Sequence, residues 1–467
     1  MKTKMKTIIL SIRNLMLIAL LPLIAACGDD VTNNYYTQEP ESPDPETPQP
    51  PAFEPGAWIE DIRSLCHYGL HTGEEYTLFP YWLLQAQGVR EVYADSEFAQ
   101  TFITDELAVY LRNPGAGTRI TLRLSENPVC HATEQTIIVP EAVTDEILSL
   151  QYPVRWNISA LLNWKEAGIV NMEWTLLLDG QEVDRTLLTF NCRSLYQFST
   201  ALQCSYATEA DEVEAVRQTD FGSYPVKEGD EYLMLYCTPF YMGYINDRSP
   251  LIDRLAKEVL QDGYLPFLYG RYSNNTKDLE NCTSVAFNYL TLKYRIDFIA
   301  PGSSLLYARP IDEVFSSRLG NHYDLALAFA AWCQSQGVNC FLEQHSDIPM
   351  VYVENYLEGT TFPVSPGEIA MLMYQYPDPS ELTKEELFEE ADSWYELITK
   401  AIQKEETEKH EPGRIDTPWK YCRISVGNLR PYLPPFGPGE QYADTRTTAT
   451  DRQMDFIENT AWKRTGR

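Results

Sequence analysis

Basic side chains are scarce in this sequence. Its 467 residues carry 37 Lys and Arg against 67 Asp and Glu, a formal net charge of −30. A surface so acidic repels phosphate backbones, which argues against nucleic acid as a partner and fits a soluble ectodomain. Closely spaced cysteine pairs are missing too. None of the ten cysteines stands in a CxxC, so a zinc ribbon is excluded. Histidines number six, and only His67 and His71 share helical i, i+4 spacing. With no acidic partners placed beside them, that pair reads as surface, and neither a metal nor a cofactor is expected. No segment recurs at a fixed period, which removes solenoids and propellers. Long apolar runs are absent but for Leu15–Ala26, which is short and interrupted by Pro22. A comfortable membrane span needs about 20 apolar residues.

That apolar run has another use. Lys2, Lys4 and Lys6 precede it, and Ile24-Ala25-Ala26-Cys27 closes it. Small residues ending in a cysteine resemble a bacterial lipobox, in which the cysteine is lipidated and becomes the mature N-terminus. Residues 1–27 are therefore expected to be a lipoprotein signal, with the membrane as a partner through an anchor at Cys27. Residues 28–56 hold seven prolines between Pro40 and Pro55, interleaved with acids. Such a segment cannot build a core and is expected to form a stiff tether of about 3 Å per residue. Asp29 and Asp30 resemble the acidic tag that sends some Gram-negative lipoproteins to the cell surface. The expected location is the outer membrane, facing outward. Nine cysteines remain beyond Cys27, an odd number, so at least one is unpaired.

Residues 57–197 have the texture of β structure. Glu106–Ser125 reads as two alternating strands around Asn113-Pro114-Gly115, and Asn171–Phe190 as a hairpin with Asp179-Gly180 at its tip. Strands spaced by turns predict an immunoglobulin-like sandwich, with Tyr152, Trp156 and Trp174 as core plugs. Residues 198–440 change to α+β, and 441–467 are left as a C-terminal tail. Ser249 and Pro250 open a helix that Gly263 stops. Asn281–Ile296 and Arg309–Gly320 predict two more. Asn321 is a good N-cap, Asp324 stands three residues on in a capping-box position, and Gly337 ends the helix between them. Its "LALAFAAW" is apolar on every face, so this helix is buried. Strands at Asn339–Gln344 and Ile348–Asn355 follow, then a long charged helix within Ser380–His410, one face of it solvated, and a last strand before a proline-rich close.

The stretch Ile311–Gln344 resembles the core of bacterial transglutaminase-like domains, relatives of the papain-like cysteine hydrolases. Gly320, Asn321, Asp324, Ala326 and Gly337 fall in register with that family's helix. The segments Tyr244–Leu260, Ser365–Leu372 and Trp419–Pro435 extend the resemblance, and Val154–Ser194 looks like the β domain that precedes such cores. The resemblance implies a thiolate at the start of the buried helix, a histidine base on the next strand and a carboxylate to orient it. In register, the nucleophile position holds His322. The base position falls at Asp347–Ile348, with His345 as an alternative base about three residues away. Glu368 matches the orienting acid, and Leu306 and Tyr307 replace the polar helpers of an oxyanion. With nucleophile, regular base and helper absent, the reading is a fold kept after its chemistry has gone.

His322 is then a cleft-floor residue, its imidazole neutral at a helix N-terminus and paired with Glu368. Cys333 and Cys340 are expected as small buried thiols, although they are placed to bridge. Cys282 is considered as the start of another helix, with no histidine to serve it. Aromatic runs at Phe79–Gln85, Tyr264–Tyr272 and Asp392–Ile398 read as core before they read as sugar platforms. The expectation is a lipid-anchored surface protein, inactive as an enzyme, that binds or scaffolds protein or glycan. Its rivals are a thiol-dependent hydrolase or acyl-transferase with a displaced Cys-His pair, and a structural component of a surface complex.

Overall fold

The structure, a computed structural model, describes residues 58–64, 76–92, 106–199, 215–219, 222–227, 230–231, 240–263, 276–299, 305–345, 348–367, 370, 382–409, 423–436 and 455–457. The signal, the tether, His67, His71, Asp347, Glu368 and the aromatic run at 264–272 lie outside these residues, as do the side chains of His345, Ile348 and Leu306.

The first part is mainly strands: β1 (Ile59–Ser64), β2 (Thr77–Leu78), β3 (Leu107–Arg112), β4 (Arg119–Leu124), β5 (Thr133–Ile138), β6 (Ile147–Tyr152), β7 (Gly168–Leu178), β8 (Gln181–Cys192) and β9 (Gln197–Ser199). Two helices interrupt them, α1 (Pro80–Val92) and α2 (Ile158–Leu162). A five-stranded sheet runs β2-β8-β7-β4-β5, and β1, β3 and β6 belong to a second sheet. The hairpin at Asp179-Gly180 forms as expected. Leu178 pairs with Gln181, and both turn residues take positive φ, 49° and 86°, the conformation that a two-residue turn between twisted strands requires. Strands also form on either side of Asn113-Pro114-Gly115, but they do not pair with each other. β3 joins β1 and β6, while β4 joins β5 and β7. The turn there hands the chain from one sheet to the other. Side chains of the two sheets meet where Tyr152 sets its ring edge-on to Trp174 at 4.8 Å, both fully buried.

The second part is mixed. It contains β10 (Ala215–Thr219), β11 (Gly222–Lys227), β12 (Asp230–Glu231), α3 (Pro250–Gln261), α4 (Thr276–Glu280), α5 (Ala286–Tyr294), β13 (Asp297–Phe298), β14 (Leu305–Tyr307), α6 (Ile311–Ser317), β15 (Leu319–Gly320) and α7 (His322–Ser335). After these come β16 (Cys340–His345), β17 (Ile348–Asn355), β18 (Thr360–Val364), α8 (Lys384–Lys409), β19 (Arg423–Ser425), α9 (Val426–Leu429) and β20 (Asp455–Ile457). A sheet ordered β10-β11-β19-β16-β17-β18 carries the buried α7. The whole is an α+β protein with several sheets.

Caps fall where the sequence sets them. Ser249 accepts from Leu251 N at the start of α3, Pro250 takes the first helical position, and Gly263 takes φ 86° beyond the end. The Asn281–Ile296 helix differs from expectation. It begins at Thr276, and Asn281–Val285 is a π-helical stretch between α4 and α5. Cys282 therefore lies inside a helical run, buried, and not at a helix start. Helix α8 buries Leu387, Phe388, Ala391 and Tyr395 and leaves its other face to solvent. Phe388 stacks on Tyr289 with centroids 3.7 Å apart.

The two parts share contacts. Trp82 of α1 stacks on Phe240 at 4.2 Å, and Gln85 Nε2 donates to the Pro434 carbonyl at 2.9 Å. Leu433 and Phe436 are buried, Phe436 sits edge-on to Tyr244, and Phe436 N donates to Gly243 O. Tyr244 Oη donates to the Leu195 carbonyl at 2.6 Å. The proline-rich close is thus a strap laid against α1 and residues 240–244. Here a glycine is required by space: a Cβ on Gly88 would collide with the Tyr432 carbonyl oxygen.

Candidate functional site

The site is assembled around the N-terminus of α7. The capping box is complete: Asn321 Oδ1 accepts from Asp324 N at 2.9 Å, and Asp324 Oδ2 accepts from Asn321 N at 3.1 Å. Asp324 does more than cap. It is fully buried and also accepts from Arg309 N at 2.8 Å and from the Arg309 guanidinium at 2.6 and 3.2 Å. Burial pushes its carboxyl up, and Arg309 opposes that push. Arg309 reaches on to the Leu319 carbonyl at 2.9 Å, and Asn321 Nδ2 to the Tyr307 carbonyl at 2.8 Å. The strand β14 and the turn before α7 are stitched to the cap. Sequence reading found the cap but not this ion pair, because Arg309 stands fifteen residues upstream, beyond α6.

His322 occupies the first residue of α7, where the nucleophile was expected. Its ring lies edge-on to Phe298 at 4.8 Å, and burial holds its pKa down to about 4. The positive end of the helix acts in the same direction. At neutral pH the imidazole is uncharged. Nδ1 is buried and has no hydrogen-bond partner among the described residues, and neither has Oγ of Ser365, which is 1% exposed. The chain after β18 closes over this corner. A Cβ on Gly367 would overlap His322 Nδ1 and lie 2.9 Å from its Cα, so only glycine packs there. The expected pairing of His322 with Glu368 lies outside the described residues.

Strand register separates the remaining candidates. Cys340 pairs with Val353 and Leu342 with Val351, and all four are buried. Cys340 lies close to Cys333 of α7, so this row faces the helix. The intervening row, Phe341 and Glu343 opposite Tyr352 and Met350, is covered by Arg423, whose guanidinium lies 4.9 Å from the Phe341 ring and 4.4 Å from that of Tyr352. Since neighbouring strand residues alternate between faces, backbone register assigns Gln344 and Pro349 to the helix-facing row. His345 and Ile348 pair with each other in the other row.

Among the described residues Cys130, Cys192, Cys282, Cys333 and Cys340 are all buried. Burial raises the Cys333 thiol and pushes Cys130 and Cys192 up to about 12. A raised pKa is the opposite of what activates a nucleophilic thiol, so Cys130, Cys192 and Cys333 are inert. No group of His, Cys, Asp or Glu among these residues has the arrangement of a metal site. Phe79, Tyr81, Trp82 and Tyr395 lie in the core. No family model matches the chain, and no curated protein matches it. Among the described residues no helix is long and apolar enough to cross a membrane.

Proposed function

We propose that this chain is a lipid-anchored envelope protein whose immunoglobulin-like β region precedes a transglutaminase-like core without catalytic activity, and that it works by binding or scaffolding. The observation that carries the reading is His322. The helix start that would activate a thiol instead holds a part-buried, neutral imidazole with Gly367 packed on its backbone. Acyl transfer through a thiol needs a nucleophile and a base in contact. Backbone register puts positions 345 and 348 in the row away from α7, which favours the inactive reading over the displaced Cys-His rival. A protein partner is favoured over a glycan, because the described aromatic runs are spent in the core.

Incubation with an amide substrate and with iodoacetamide tests the inactive site. Background turnover and uniformly slow labelling are expected. Fast labelling of one cysteine that His345→Ala suppresses would establish the enzyme instead. For the anchor, Cys27→Ala should abolish fatty-acid labelling and membrane retention while the folded region keeps its circular dichroism. An unlabelled, freely soluble parent protein would refute that part. The anchor and the tether place the working surfaces outside the membrane plane.

A further inference from the structure

Strand β6 receives two neighbours of unequal length. β3 pairs with it along all six residues, Ile147–Tyr152. On its other side β20 pairs along three, Asp455 with Gln151, Phe456 with Leu150 and Ile457 with Ser149. β20 is the last strand of that sheet, ordered β1-β3-β6-β20, and it arrives from beyond residues 437–454. Sequence reading assigned this segment to a tail. Among the described residues this ladder has three pairs, against six between β3 and β6.

The edge beneath it has none of the guards that native edges carry. Ile147–Tyr152 contains no charge, no proline and no register shift, and Leu148, Ser149, Leu150 and Tyr152 are at most 2% exposed. Uncovered, such a strand offers a row of unpaired N–H and C=O groups to any extended chain. We propose that the β6 edge is a strand-accepting surface for an extended segment of a protein partner, and that Asp455–Ile457 is a strap holding it closed.

The chemistry of the partner follows from what surrounds the edge. An apolar residue belongs opposite Leu150, where this chain places Phe456. Exposed Asp145 and Glu146 lead into β6, so cationic residues beside the apolar stretch are favoured. The chain's own segment has this composition, with Lys463 and Arg464 following Ile457 in sequence. A second copy is a poor occupant, because two chains of formal charge −30 repel. The surface is separate from His322 and stands whether or not that site is inactive.

The full-length protein with Phe456→Pro opens the strap without deleting it, since proline removes a ladder donor. Hydrogen exchange at Ile147–Tyr152 should quicken at least tenfold in the variant, with protection elsewhere unchanged. A fluorescent peptide of residues 450–464 should bind the variant saturably. It should bind the parent at least tenfold more weakly, because a tethered segment competes at an effective concentration of order mM. The same peptide carrying Phe456→Pro should bind neither. Unchanged exchange at β6, equal peptide binding to both proteins, or no binding to the variant overturns the proposal. A concentration-dependent dimer of the parent that the variant loses would assign the edge to a second copy and overturn the heterologous partner.

Discussion

His322 binds its proton near pH 6.5 when the chain is unfolded, but only near pH 4 when folded. Between those values the unfolded chain holds more protons, so stability contributed by the neutral imidazole is full above pH 6.5 and lost as pH falls towards 4. The gap corresponds to at most about 3 kcal/mol. His322→Gln should therefore shrink the difference in unfolding free energy between pH 7 and pH 4.5 by about 2 kcal/mol in urea titrations. An identical pH dependence would contradict the part-buried neutral ring. Asp324 answers to a different physics. Asp324→Asn leaves the partly buried Arg309 without its counter-charge, and stability should fall by about 3–5 kcal/mol, read from the same titrations. The Asn321–Asp324 cap was legible because capping is local. The Arg309 partnership was not, since it depends on how a chain turn folds back.

Strands and helices show the same division. The Asp179-Gly180 hairpin and the bounds of α7 follow from residues within a few positions of each other. The partners of β3 and β4 do not, because a turn signal says that the chain reverses and not which sheet receives it. The π-helical stretch at Asn281–Val285 leaves no mark in hydrophobic spacing either. Register in the β16–β17 pair is the element-level fact with chemical consequences. His322→Cys alone should react faster than the buried thiols with small alkylating agents, since a helix N-terminus lowers a thiol pKa, yet leave activated-ester hydrolysis at background. Adding Pro349→His should raise hydrolysis above the single variant. Adding Ile348→His instead should not, because that position belongs to the far row. Equal gains from both would show that the alternation breaks near the hairpin end.

Across the whole molecule, the strap at Leu433–Phe436 joins α1 to residues 240–244. Gly88→Ala should force the Tyr432 carbonyl away and destabilise the protein by about 1–3 kcal/mol. Thermal unfolding should also lose cooperativity, with the β region and the mixed region melting apart. A single transition at an unchanged midpoint would argue that the strap is dispensable. The sequence divided these regions at a change of texture, but composition cannot show that a segment near position 433 completes a surface near position 85. That arrangement also constrains synthesis. During synthesis the early strands and α1 emerge first, and the α1 surface at Gln85 and Gly88 waits for a segment made some 350 residues later. At roughly 5–20 residues per second, the delay is on the order of tens of seconds to a minute. The nascent chain therefore has a long interval in which a holdase is needed, and expression yield should depend on chaperone supply more than on the finished fold's stability.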